Sequence, residues 1–139
     1  MNLNEIYSIA ERDHVEICDV ECPECLSISM IGESGDCYIG IDDHAIRSES
    51  ERLVQIAHEL GHCETGSFYT KNTGLDLIGK HEYRADKWAV LRLIPYEKLM
   101  EAGKRGISEI WEIAEYFGVT EDFVRRAREI YQNMGYSFS

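Results

Sequence analysis

The hydrophobic period of the chain turns from strand-like to helical at Ser48 and stays helical after it, and that change limits the folds open to it. Ahead of Ser48, an amphipathic stretch at about 3–12 predicts a short helix. The segments 15–20 (VEICDV), 27–32 (SISMIG) and 37–42 (CYIGID) then alternate or run apolar over a few residues each. That is the pattern of short strands. The turn residues of ESGD at 33–36 join the last two as a hairpin over 27–42.

Behind Ser48 the period is helical. Ser48 and Glu51 have the form of a capping box, and Leu53, Ile56, Ala57 and Leu60 follow as one apolar stripe. A loop rich in Gly, Thr and Asn is predicted over about 65–79, and a second helix from Lys80 up to Pro95. A third, YEKLMEAGK, follows the proline. SEIWEIAEYFG and TEDFVRRAREIYQNM close the chain, with Ser108 and Thr120 as N-caps. One helix, a small antiparallel or mixed sheet and then only helices predict an α+β fold. With 139 residues, a single domain over 1–139 is expected. Its sheet and site-bearing helices occupy 1–95, and a helical subregion occupies 96–139.

The first long helix carries AHELGHCE at 57–64. On a helix, positions four apart differ by only about 40° around the axis. His58 and His62 therefore project from one face and can converge on one ion. Glu59 is turned about 100° from His58. It is badly placed as a ligand and well placed to take a proton from water at that ion, as a general base. This is why H-E-x-x-H suits a zinc hydrolase. The bland alternative is the solvated polar face of an amphipathic helix.

A catalytic zinc wants three protein ligands and one open position. KHEYRADKWA at 80–89 can supply the third. Glu82 and Asp86 share a helix face. Glu82 can bind the ion, and Asp86 can hydrogen-bond the far nitrogen of a ligating histidine. Ala85 and Ala89 are small enough for two helices to approach closely. His81 competes with Glu82 as third ligand, and spacing alone leaves that choice open. Two imidazoles and a carboxylate suit Zn2+ and also other divalent ions such as Mn2+.

The formal net charge is -12. Such a surface repels nucleic-acid backbones and anionic membranes and favours a basic protein partner. No run approaches a membrane span, and MNLNEIYSIAERDH is not a signal sequence, so a cytoplasmic protein is expected. Five cysteines, an odd count without such a signal, argue for reduced thiols and against a disulfide framework. Cys22 and Cys25 have the spacing of half a zinc knuckle or of a redox pair, but no second pair matches them.

HELGH followed by EYRAD resembles the gluzincin arrangement of metallopeptidases. More closely, CYIGID, RLVQIAHELGHCETGSFY, HEYRADKWAVLRLIP and EIAEYFGVTEDFVRRA resemble the ImmA/IrrE family. The resemblance covers most of the chain from about residue 27. CDVECPEC at 18–25 has no counterpart in that pattern. The resemblance implies a zincin-like fold, with His58, His62 and Glu82 as metal ligands, Glu59 as general base and Asp86 behind a histidine. It also implies hydrolysis of a helix-turn-helix repressor of a phage or mobile element. A donor to the developing oxyanion is needed as well; Tyr69, His81 and Tyr83 are candidates among which the sequence does not choose. In zincin-like folds an exposed sheet edge beside the metal helix can pair with an extended peptide. CYIGID is either that edge or, more ordinarily, a core strand, and the sequence does not say which strand is the edge.

A rival reading comes from the C-terminal pair. Ala114, Gly118 and Val124 have helix-turn-helix spacing, which would put Arg125, Arg126 and Arg128 on a recognition helix. Residues 107–139 carry six acidic and three basic side chains, a local charge of -3. That argues against direct nucleic-acid binding. A DNA-binding or partner-binding regulator with a non-catalytic metal site remains the alternative.

Overall fold

The computed structural model of the chain describes residues 1–69 and 72–136. Helix α1 (Leu3–Arg12) leads into β1 (Glu16–Asp19), β2 (Ser27–Ile31) and β3 (Cys37–Ile41). Then come α2 (Glu49–Thr65), α3 (Leu75–Leu93), α4 (Tyr96–Lys104), α5 (Ile110–Phe117) and α6 (Glu121–Asn133). The fold is α+β, as the change of period predicts. No helix among the described residues is long and apolar enough to cross a membrane.

The sheet is mixed, in the order β1-β3-β2. β1 runs parallel to β3, and β2 pairs antiparallel with it, Ser29 opposite Ile39. CYIGID is thus the central strand, its Ile39 and Ile41 fully buried, and β2 is the edge beside α2. The apolar stripe of α2 faces inward: Leu53, Ile56, Ala57 and Leu60 join Ile39 and Ile41 in one core with Trp88, Ala89, Val90 and Leu93 of α3. Ile130 and Tyr131 of α6 close the same core, with the Tyr131 hydroxyl donating to the Ile94 carbonyl at 2.6 Å.

Four details depart from the sequence reading. α3 begins at Leu75, inside the expected loop, because Gly79 is accommodated within the helix. A mid-helix glycine costs roughly 1 kcal/mol, which tertiary packing further along the helix overrides. Ser48 caps α2 by accepting from the Glu51 N–H at 3.1 Å, but the reciprocal bond goes elsewhere: Glu51 Oε1 accepts from the N–H of Arg47. α5 is capped by Glu109, not Ser108, with Glu112 reaching back to the Glu109 N–H. Thr120 caps α6 as expected, accepting from Phe123.

The fourth correction concerns the thiols. Cys22 is joined to Cys25 and Cys37 to Cys63, while Cys18 stays free and exposed. The Cα separations, 5.3 and 5.9 Å, lie in the range a disulfide spans. Cys37 and Cys63 are 26 residues apart, and only the packing of β3 on α2 brings them together.

Candidate metal centre

The site is created by a close helix crossing. A Cβ placed on Gly61 of α2 would lie 2.5 Å from the Ala85 carbonyl oxygen and 2.9 Å from its Cα. Glycine is therefore required at 61, and a small residue at 85, for α3 to lie this close to α2. At that separation Glu82, one turn before Ala85, and Asp86, directly after it, reach the two histidines.

His58 Nε2 stands 3.2 Å from His62 Nε2 and 2.9 Å from Glu82 Oε2, and His62 Nε2 lies 3.0 Å from Glu82 Oε1. Four atoms held roughly 2 Å from a tetrahedral zinc stand about 3.3 Å from one another. The three donors thus span one face of such a polyhedron. Glu82, and not His81, completes the set.

The far ring nitrogens are both engaged. His58 Nδ1 lies 2.6 Å from Asp86 Oδ1, and His62 Nδ1 lies 2.6 Å from the carbonyl oxygen of Ser67. A carboxylate and a carbonyl oxygen both accept, so each Nδ1 donates, which leaves each Nε2 to present a lone pair to an ion. Two lone pairs and a carboxylate pointed at one another repel unless a cation lies between them, so the residues fit a metal. The Ser67 carbonyl reaches His62 because Gly66 ends α2 in the left-handed conformation, φ 65°, and turns the chain back.

Protonation answers the same demand for positive charge. Burial opposes the charged form of His58, but hydrogen bonds to Asp86 and Glu82 outweigh it and push its pKa up to about 10. Burial likewise works against the Glu82 carboxylate, yet hydrogen bonds from His58 and His62 hold it well below the usual carboxylate range.

Glu59 faces the same cleft and is almost fully buried. The Ser27 hydroxyl lies 2.7 Å from Glu59 Oε2 and also 2.7 Å from Gln55 Oε1. One hydroxyl proton serves one acceptor at a time, and an ionised carboxylate is the stronger. Ser27 opens strand β2, so the edge strand and the acid are tied directly. The cleft, of about 420 Å3, is lined by Ser27–Ser29, His58, Glu59, His62, Tyr69 and Glu82.

Of the three suggested oxyanion donors, only Tyr69 lines this cleft among the described residues. Its ring meets His62 edge-on with centroids 6.0 Å apart, and its hydroxyl bonds to Glu82. Burial, then that carboxylate, pushes the Tyr69 pKa up to about 12. His81 stacks against the Tyr69 ring and is absent from the lining. Tyr83 lies under the guanidinium of Arg126, 5.5 Å from its centre, and is likewise absent.

The C-terminal pair has the expected turn, Gly118 at φ 69° between buried Ala114 and Val124. Two of its three arginines are used within the chain: Arg125 pairs with Asp122 at 2.9 Å, and Arg126 Nε bonds Asp86 Oδ2 at 2.8 Å. Sequence reasoning did not find Ser27, Ser67 or Arg126, whose partners lie 32, 5 and 40 residues away. Gly61 did leave a signal, a glycine inside a helical stripe.

The family model of the peptidase M78 group, described as the IrrE N-terminal-like domain, matches residues 37–128. No curated protein and no solved structure gives a significant match.

Proposed function

The chain belongs to the IrrE N-terminal-like family of M78 peptidases, and from that premise we propose that it is a zinc-dependent metallopeptidase of the HExxH type. The observation that carries the reading is the convergence of His58, His62 and Glu82 with both far imidazole nitrogens tied down. A divalent ion held by these three residues supplies Lewis acidity, polarising the scissile carbonyl and making water a better nucleophile. Glu59 accepts the proton of the attacking water and passes it to the leaving nitrogen. Ser27 binds one of its oxygens and leaves the other for that transfer. Tyr69, whose hydroxyl sits at the cleft beside Glu82, is the residue we assign to the oxyanion.

The substrate enters as an extended strand on β2. This strand pairs only with β3 among the described residues, and its Ile28, Met30 and Ile31 are exposed. Backbone pairing at such an edge gives affinity, and alternate side chains give selectivity. The protein cleaved is a regulatory one, a helix-turn-helix repressor of a phage or mobile element, met in the cytoplasm. Support for this comes from the family and from the charge of -12, which complements the basic surface of a DNA-binding partner.

The test is incubation of the zinc-loaded protein with the repressor encoded beside it, read by mass spectrometry of the products. Cleavage that stops with chelator and with Glu59→Gln supports the reading. Cleavage that survives Glu59→Gln, or an intact repressor with the ion bound, overturns it.

A further inference from the structure

Arg126 lies on α6, outside both metal motifs, yet its guanidinium reaches the centre. Its Nε donates to Asp86 Oδ2 at 2.8 Å, while Asp86 Oδ1 accepts from His58 Nδ1 at 2.6 Å. Both oxygens of Asp86 are therefore occupied, one by the ligand and one by α6. The arginine is itself held: Nη1 lies 3.1 Å from Glu129 Oε1, and the Tyr83 ring lies 5.5 Å from the guanidinium carbon. Its side chain and that of Asp86 are 29% and 20% exposed, so water competes weakly for either.

We propose that Arg126 is a positioning residue of the metal centre, holding the Asp86 carboxylate in the plane and rotation that orient His58 toward the ion. Two effects of Arg126 oppose each other. Its charge repels a cation, and its geometry preorganises a ligand. The charge is already offset by the carboxylates of Asp86 and Glu129, and an imidazole as well as a carboxylate stands between it and the ion. The orienting effect is not offset. A carboxylate released from Arg126 can rotate toward solvent, and its partner histidine then loses a fixed direction. α6 is on this view a structural wall of the metal centre, and its resemblance to a recognition helix is secondary. The inference rests on the metal-site reading above and goes beyond it by placing α6 in the centre.

The test is Zn2+ affinity of the full chain, measured by competition with a chelating dye, together with the visible spectrum of the Co2+ form. Arg126→Gln should weaken Zn2+ binding by roughly threefold to tenfold, less than the roughly 10–100-fold expected for a direct partner of a ligand. The decisive measurement is the cycle with Asp86→Ala: once Asp86 is gone, Arg126→Gln should change affinity no further. A residue that merely braces the fold would lower thermal stability and show additive losses. Arg125→Gln, on the same helix and paired among the described residues with Glu121 and Asp122 of that helix, should leave affinity unchanged. Should Arg126→Gln not fold, Arg126→Lys keeps the charge and loses the planar fork. It should lose at least about twofold. A wild-type chain that binds no Zn2+ overturns the metallopeptidase reading and this inference with it. A wild-type chain that binds Zn2+ while both Arg126 variants stay within about twofold of it, or an additive cycle, overturns this inference alone.

Discussion

α2 and α3 both carry residues of the candidate metal centre, but they are placed by different physics. The two imidazoles of α2 sit one turn apart on one helix, so their convergence needs only that the helix form. Glu82 and Asp86 of α3 are also one turn apart, yet nothing within α3 aims them at anything. They meet the histidines only because Gly61 lets the backbone at Ala85 come within contact. One half of the centre is thus local, and the other half is tertiary. Loss of Glu59 on α2 should act on the chemistry, and damage at the crossing on the assembly of the ion site.

The largest expected effect is on the local half. Glu59→Gln should lower turnover of a cleavable substrate by about 10²–10⁴-fold while leaving ion content unchanged, read by product formation and by metal analysis of the same sample. Asp86→Ala acts on the tertiary half. It should weaken Zn2+ binding by roughly 10–100-fold, seen by competition titration, with the folded state preserved by circular dichroism. A loss of turnover without a loss of affinity would erase the distinction between the helices.

The same substitution made on each helix sharpens the contrast. Gly61→Ala forces a methyl against the Ala85 backbone. It should destabilise the protein by about 1–3 kcal/mol in urea unfolding and weaken metal binding together with it. Gly79→Ala lies within α3, where an added Cβ would meet nothing within 4 Å. It should stabilise the protein by about 0.5–1 kcal/mol, with affinity unchanged. Equal signs for the two would mean that the crossing is looser than the distances at Ala85 imply.

The division between local and tertiary also explains what could be read beforehand. His58, Glu59 and His62 were legible because a single helical period places them. So was the buried stripe of Leu53, Ile56, Ala57 and Leu60. Glu82 and Asp86 were legible as a pair, but the choice between Glu82 and His81 needed the helix crossing. Which strand is the edge is a matter of sheet order, and three short strands of similar pattern do not announce it. Ser27 and Arg126 are ordinary residue types whose roles appear only when distant elements pack, and Ser67 acts through a backbone carbonyl that any residue carries. The Cys37–Cys63 pair was hidden for the same reason, and an odd number of cysteines pointed the other way. Gly79 misled because it ends a run rich in Gly, Thr and Asn that looks like a loop, whereas the packing of the rest of α3 carries the helix through it.

The most direct measurement is titration of the metal-free protein with Co2+, following its visible absorption, for the wild type and for Glu82→Ala. If His58, His62 and Glu82 surround one cation, the wild type should take up one equivalent with the intense bands of a low-coordinate site. Glu82→Ala should then bind at least about 10-fold more weakly, with an altered spectrum. Binding of the same strength and spectrum without Glu82, or no uptake by the wild type, would contradict the convergence of α2 and α3 on a shared ion.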